Sequence, residues 1–130
     1  AGPANLAQGV VLVADDESYV RDLADEILRR AGYTTVLAVD GADAVRLFSE
    51  NPARIDALLL DLTMPRLDGA DALRQIRSIR PDVPCVFSSG HSAEDVRARF
   101  RHTPHVGFAQ KPFTPEVLLD VLRATVAQSR

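Results

Sequence analysis

A chain of 130 residues with 46% hydrophobic and 25% charged residues suits one globular domain and leaves little room for a second. A net charge of −3 and scattered arginines argue against a basic nucleic-acid-binding face. The single cysteine, Cys85, excludes an intrachain disulfide and argues against a cysteine-based zinc site. No apolar run reaches the length needed to cross a bilayer, and no secretory leader is visible at the start. A cytoplasmic location without direct membrane insertion is therefore expected. Ala1 to Gly9 reads as a flexible linker or expression-derived lead-in, which leaves residues 10–130 as the domain.

Val10-Val11-Leu12-Val13-Ala14 is a short, continuous apolar run, the pattern of a strand covered on both faces, and it stops at Asp15-Asp16-Glu17. Ser18 reads as a helix N-cap. Leu23, Ile27, Leu28 and Ala31 then recur at helical spacing until Gly32. Thr34 to Val39 reads as a second strand, and Ala42 to Ser49 as a short helix. Ala57-Leu58-Leu59-Leu60 is a third buried run that ends at Asp61. Met64 to Gly69 has turn chemistry, with Asp68 in the turn before a helix from Ala70 to about Ile79.

Pro84 to Phe87 begins a fourth strand that ends at Ser88-Ser89-Gly90. A charged helix follows from Ala93 to Phe100. His105 to Gln110 is a fifth strand ending at Lys111-Pro112, and a last helix spans about Pro115 to Gln128. Five strand–helix units in strict alternation imply a doubly wound α/β fold with helices on both faces of a five-stranded parallel sheet. Ligands of such folds bind beyond the carboxyl ends of the strands, where the strand order switches.

The residues at those ends are Asp15 and Asp16 after the first strand, Asp61 after the third, Ser89 after the fourth and Lys111 after the fifth. Clustered carboxylates repel one another, and a bound divalent cation relieves that repulsion. Few carboxylates, with water completing the shell, suit Mg²⁺ better than zinc. A carboxylate can also attack phosphorus, and a cation, a hydroxyl and an ammonium can then hold the phosphoryl oxygens. Lys111 is the only lysine in a chain that otherwise uses arginine as its base, which points to a site that needs a compact ammonium.

With these residues in order, the chain resembles the receiver domains of response regulators and hybrid histidine kinases. The resemblance rests on Val13-Ala14-Asp15-Asp16-Glu17, Leu60 to Pro65, Leu67-Asp68-Gly69, Ser88-Ser89-Gly90 and Lys111-Pro112-Phe113. It implies a flavodoxin-like (βα)5 sheet of strand order 2-1-3-4-5. It also implies that Asp61 accepts a phosphoryl group from a phosphohistidine, supplied by a histidine kinase or phosphotransfer domain. Mg²⁺ would be held by Asp16, Asp61 and the Thr63 backbone carbonyl, and by Asp15 through water.

Ser89 and Lys111 would hold the phosphoryl oxygens. Ser89 is preferred to Ser88 because Gly90 follows it, as the family pattern requires. Phe108 falls at an aromatic switch position, Lys111-Pro112 at a site often in the cis form, and Thr63 and His91 flank the site. The Ser89–His91 and Phe108–Phe113 stretches look most like receivers within a parent hybrid kinase. The domain would catalyse only its own phosphotransfer. A haloacid-dehalogenase-type phosphatase is the enzyme alternative, but it needs an acidic pair on a strand after the lysine, and the acids after Lys111 are Glu116 and Asp120, on the last helix. A receiver-like interaction module without phosphorylation would lack one of the site residues. A nucleotide-binding domain would need a glycine-rich loop after the first strand.

Overall fold

The structure is a computed structural model that describes residues Gly9 to Ser129. The lead-in through Ala7 and Gln8 lies outside the described residues. Five strands run β1 Val10–Ala14, β2 Thr34–Ala38, β3 Ala57–Asp61, β4 Cys85–Ser89 and β5 Val106–Gln110. Five helices alternate with them: α1 Ser18–Arg30, α2 Gly41–Glu50, α3 Gly69–Ile79, α4 Ala93–Arg99 and α5 Pro115–Gln128. All neighbouring strands pair in parallel, in the order β2-β1-β3-β4-β5. This is the flavodoxin-like arrangement expected from the sequence.

Side chains alternate between the faces of a strand, so a strand covered on both sides feeds two cores. Leu12, Ala14, Leu58, Leu60, Cys85 and Phe87 face one side, where they pack with Ala44 and Phe48 of α2 and Ala72, Leu73 and Ile76 of α3. Val11, Val13, Ala57, Leu59 and Val86 face the other, against Ala24, Ile27 and Leu28 of α1 and Leu118 and Leu122 of α5. Cys85 belongs to the first core and is fully buried, and burial pushes its thiol pKa far up, away from reactivity.

The first three helix starts differ from the sequence reading by one residue, each for a local reason, whereas α4 and α5 begin at Ala93 and Pro115 as read. Ser18 is the first helical residue of α1, not its cap; Glu17 is the N-cap and makes no side-chain cap bond. The Asp15 carboxylate accepts from the Glu17 backbone N–H at 2.9 Å, which fixes the turn one residue earlier. Asp40 caps α2 through the Asp43 N–H at 2.8 Å, so that helix begins at Gly41. Asp68, expected in a turn, caps α3 through the Asp71 N–H at 2.9 Å. Ser92 and Thr114 cap α4 and α5, with Pro115 in the first turn of α5. Such caps are each worth about 1 kcal/mol.

Strand order reverses at β1, which lies between β2 and β3. The carboxyl ends of β1 and β3 therefore border the crevice where ligands of this fold class sit.

Candidate functional site

Three carboxylates meet at that crevice. Oxygen atoms of Asp15, Asp16 and Asp61 lie within 4.8 Å of one another. Asp15 and Asp61 are buried, whereas Asp16 is open to solvent. Each is placed by backbone geometry. Ala14 pairs with Leu60 across β1 and β3, so Asp15 and Asp61 leave their strands side by side. The Asp15 carbonyl also accepts from Arg21 Nη1 at 2.7 Å, which ties the strand end to α1. Asp61 accepts from the Thr63 N–H at 3.3 Å, and the Leu62 N–H donates to the Ser88 carbonyl at 2.9 Å.

Lys111 reaches the same point from β5. Its backbone N–H donates to the Ser89 carbonyl at 2.8 Å, carrying the chain past the end of β4, and its peptide bond to Pro112 is cis, as the resemblance implied. Its Nζ lies 2.9 Å from Asp15 Oδ2, 3.3 Å from Asp61 Oδ2 and 3.8 Å from Glu17 Oε1. Burial works against the ammonium, but the hydrogen bond to Asp15 and the charges of Asp61 and Asp15 outweigh it and raise the lysine pKa. Burial, and then the charge of Asp15, pushes the Asp61 carboxyl up to about 6 against the opposing pull of Lys111. One acid is thus held in a costly state that an added cation would relieve. An all-oxygen set with one acid open to water is the chemistry of a hard divalent cation such as Mg²⁺.

Ser89 ends β4 one residue beyond the Asp61–Ser88 register pair, and its Oγ accepts from the His91 N–H at 3.0 Å. Ser88 and Ser89 are both buried. Phe108 lies on the edge strand β5, half-buried, in register with Phe87 and packed against the first core. With Val96, Phe100, Val121 and Thr125 it lines a groove of about 310 Å³ between α4 and α5. The sequence reading overlooked Arg21, although its place one helical turn after Glu17 puts it on the side of α1 nearest the strand end. Glu17, the N-cap of α1, also brings its side chain toward Lys111.

Gly69 sets how closely α3 approaches this strand end. A Cβ there would sit 2.4 Å from the Asp61 carbonyl oxygen and 3.0 Å from Leu62 Cα, both backbone atoms that cannot swing away. Gly69→Ala is expected to destabilise the fold by about 1–3 kcal/mol. The check is urea unfolding: the midpoint falls with an unchanged slope. An unchanged midpoint would mean that the helix end shifts freely.

The family model for the response regulator receiver domain matches residues 11–123. The chain belongs to this family. Response regulator MprA of Mycobacterium ulcerans strain Agy99 is 35% identical over 120 residues, covering 92% of this chain and 51% of MprA. The chain thus spans about half the length of the curated relatives it matches. Among solved structures, a receiver domain protein from Clostridium thermocellum superposes with a TM-score of 0.82 at 28% identity, covering 92% of this chain and 94% of that one. The receiver domain of the hybrid histidine kinase CckA gives a TM-score of 0.76 at 30% identity, covering 91% and 99%. Chemotaxis protein CheY4 of Vibrio cholerae gives 0.81 at 27% identity, covering 90% and 98%. Among the described residues, no helix is long and apolar enough to cross a membrane.

Proposed function

We propose that this receiver domain accepts a phosphoryl group on Asp61 from the phosphohistidine of a histidine kinase or phosphotransfer domain, in a Mg²⁺-dependent reaction. The observation that carries the reading is the Lys111 ammonium seated between the Asp15 and Asp61 carboxylates, with Asp16 open beside them. Mg²⁺ would be held by Asp16, Asp61 and the Thr63 carbonyl, with Asp15 acting through water, and would supply charge neutralisation for the incoming phosphate. An Asp61 carboxylate oxygen attacks phosphorus, the phosphorus–nitrogen bond breaks, and the donor imidazole leaves with the electron pair. Lys111 then exchanges its carboxylate partner for a phosphoryl oxygen, and the Ser89 hydroxyl donates to another.

The product carries about −1.5 to −2 added charges at the strand ends. Ser89 and its loop move toward the phosphate, and Phe108 repacks between α4 and α5. Phe108 has no hydroxyl, so its switching rests on ring packing. Thr63 and His91, whose backbone N–H groups donate to Asp61 and Ser89, flank the site and tune the phosphate's lifetime. On this reading the domain is a cytoplasmic switch that acts on no outside substrate. Attachment to a hybrid kinase is supported by the Ser89–His91 and Phe108–Phe113 stretches and by the likeness to the CckA receiver.

The test is mass spectrometry after incubation with a small acyl-phosphate donor. The wild type gains one phosphoryl group with Mg²⁺ and none after chelation, and Asp61→Asn gains none. A phosphorylated Asp61→Asn variant would move the acceptor elsewhere, and rapid turnover of phosphate esters would turn the reading toward a phosphatase. In metal-free protein, burial and then the charge of Asp15 push the Asp61 carboxyl up to about 6. The nucleophilic form is therefore lost below that pH, and Mg²⁺ binding weakens there as protons compete for the carboxylate.

A further inference from the structure

Arg66 lies in the loop between β3 and α3, five residues beyond the proposed acceptor, and no role described so far uses it. Its backbone has φ +69°, in the left-handed region that a long side chain rarely adopts. The Leu67 N–H donates to the Pro65 carbonyl at 2.8 Å, closing a three-residue turn around Arg66. Turns of this hand are rare and strained, and they persist where the surroundings fix them.

The surroundings here belong to the corner between β2 and α2. Arg66 Nη1 donates to Asp40 Oδ2 at 3.2 Å. Asp40 is itself buried, and its other oxygen is committed to the cap of α2. Beside this pair, a Cβ on Gly41 would lie 2.0 Å from the Leu67 carbonyl oxygen, so the loop backbone rests directly on the first residue of the helix. At its other end the loop is fixed by the Gly69 N–H on the Leu62 carbonyl at 3.0 Å. Thr63 is suspended between these two anchor points.

We infer that Arg66, through its tether to Asp40, is a positioning residue. It holds the loop from Leu62 to Asp68 in the turn that keeps the Thr63 carbonyl available to a cation on Asp16 and Asp61. The inference rests on the Mg²⁺ reading above. The oxygen it controls is a backbone atom, so the effect falls on metal affinity and leaves the cores of the fold untouched. Asp40→Asn separates the two jobs of Asp40, since asparagine caps a helix as well as aspartate but carries no charge for Arg66.

The experiment is calorimetric titration of Mg²⁺ into the metal-free chain and into Arg66→Ala, Asp40→Asn and the double variant. Each single change is expected to weaken Mg²⁺ binding by roughly two- to fivefold, the range of an exposed ion pair. The double variant is expected to be no weaker than the weaker single, because both remove one interaction. Arg66→Lys should recover part of the loss. Metal-free thermal midpoints should move by no more than about 3 °C. Wild-type Mg²⁺ affinity in both singles, or additive losses in the double, would overturn the positioning role alone. A wild type that binds no Mg²⁺ would remove the functional reading and this inference with it.

Discussion

Asp61→Asn is expected to make the metal-free chain more stable at pH 7.5, by on the order of 2–3 kcal/mol. Burial and the neighbouring Asp15 carry the Asp61 carboxyl from the ordinary 3.8 to about 6. The folded state therefore holds this proton more tightly than the unfolded chain does. Between about pH 4 and pH 6 the native form binds more protons, so stability falls as pH rises through that window. Above pH 6 the full cost of a buried, crowded charge is present. Asparagine imitates the uncharged carboxyl and still accepts from the Thr63 N–H, so it removes the cost without removing that bond.

Urea unfolding at a series of pH values checks this. The variant should exceed the wild type at pH 7.5, and the two should converge below about pH 4. The thermal midpoint should rise by about 6–10 °C at neutral pH. Millimolar Mg²⁺ should narrow the gap, because the cation stabilises the wild-type acids and finds one fewer in the variant. Equal stabilities at both pH extremes would show that solvent already screens Asp61. A residue whose removal improves the fold and abolishes phosphoryl transfer is one kept for chemistry at the expense of stability.

The sheet was legible because its three central strands are buried along nearly their whole length. Val10 to Ala14 and Ala57 to Leu60 are unbroken apolar runs, and five strand-like segments alternating with helical patterns leave one economical architecture. The acids and the lysine were legible because each breaks its run at the carboxyl end, where this topology puts ligands. What could not be read was which groups pair once they meet. Nothing in the spacing says that Lys111 sits nearer Asp15 than Asp61, or that Glu17 approaches it. The Arg66–Asp40 tether joins positions 26 residues apart through a left-handed residue that no local preference favours. Ser18 was misread as a cap because a buried aspartate three residues earlier took over the turn. Propensity acts locally, and these features depend on which loops the finished sheet presses together.

Lys111→Ala is expected to have the opposite effect from Asp61→Asn. The ammonium is mostly buried, with 17% of its side chain exposed, and its carboxylate partners Asp15 and Asp61 are at 4% and 5%. Deleting it leaves two acids facing each other without their cation, and breaking a buried pair in this way costs about 3–5 kcal/mol. The raised pKa of Lys111 means that its contribution is complete at neutral pH and is lost only when pH rises through a folded value above the ordinary 10.5. In the variant Asp61 no longer feels the lysine that was holding its pKa down, so protonation becomes the cheaper way out. The variant should therefore recover stability as pH falls from 7.5 toward 5.5. Mg²⁺ should likewise stabilise it more than it stabilises the wild type, since the dication takes over the neutralising role. Urea midpoints at the two pH values, with and without Mg²⁺, separate these effects. A loss below about 1 kcal/mol, the worth of an exposed pair, with no recovery in acid would place Lys111 among surface ion pairs. It would also remove the electrostatic reason for a lone lysine at the centre of this site.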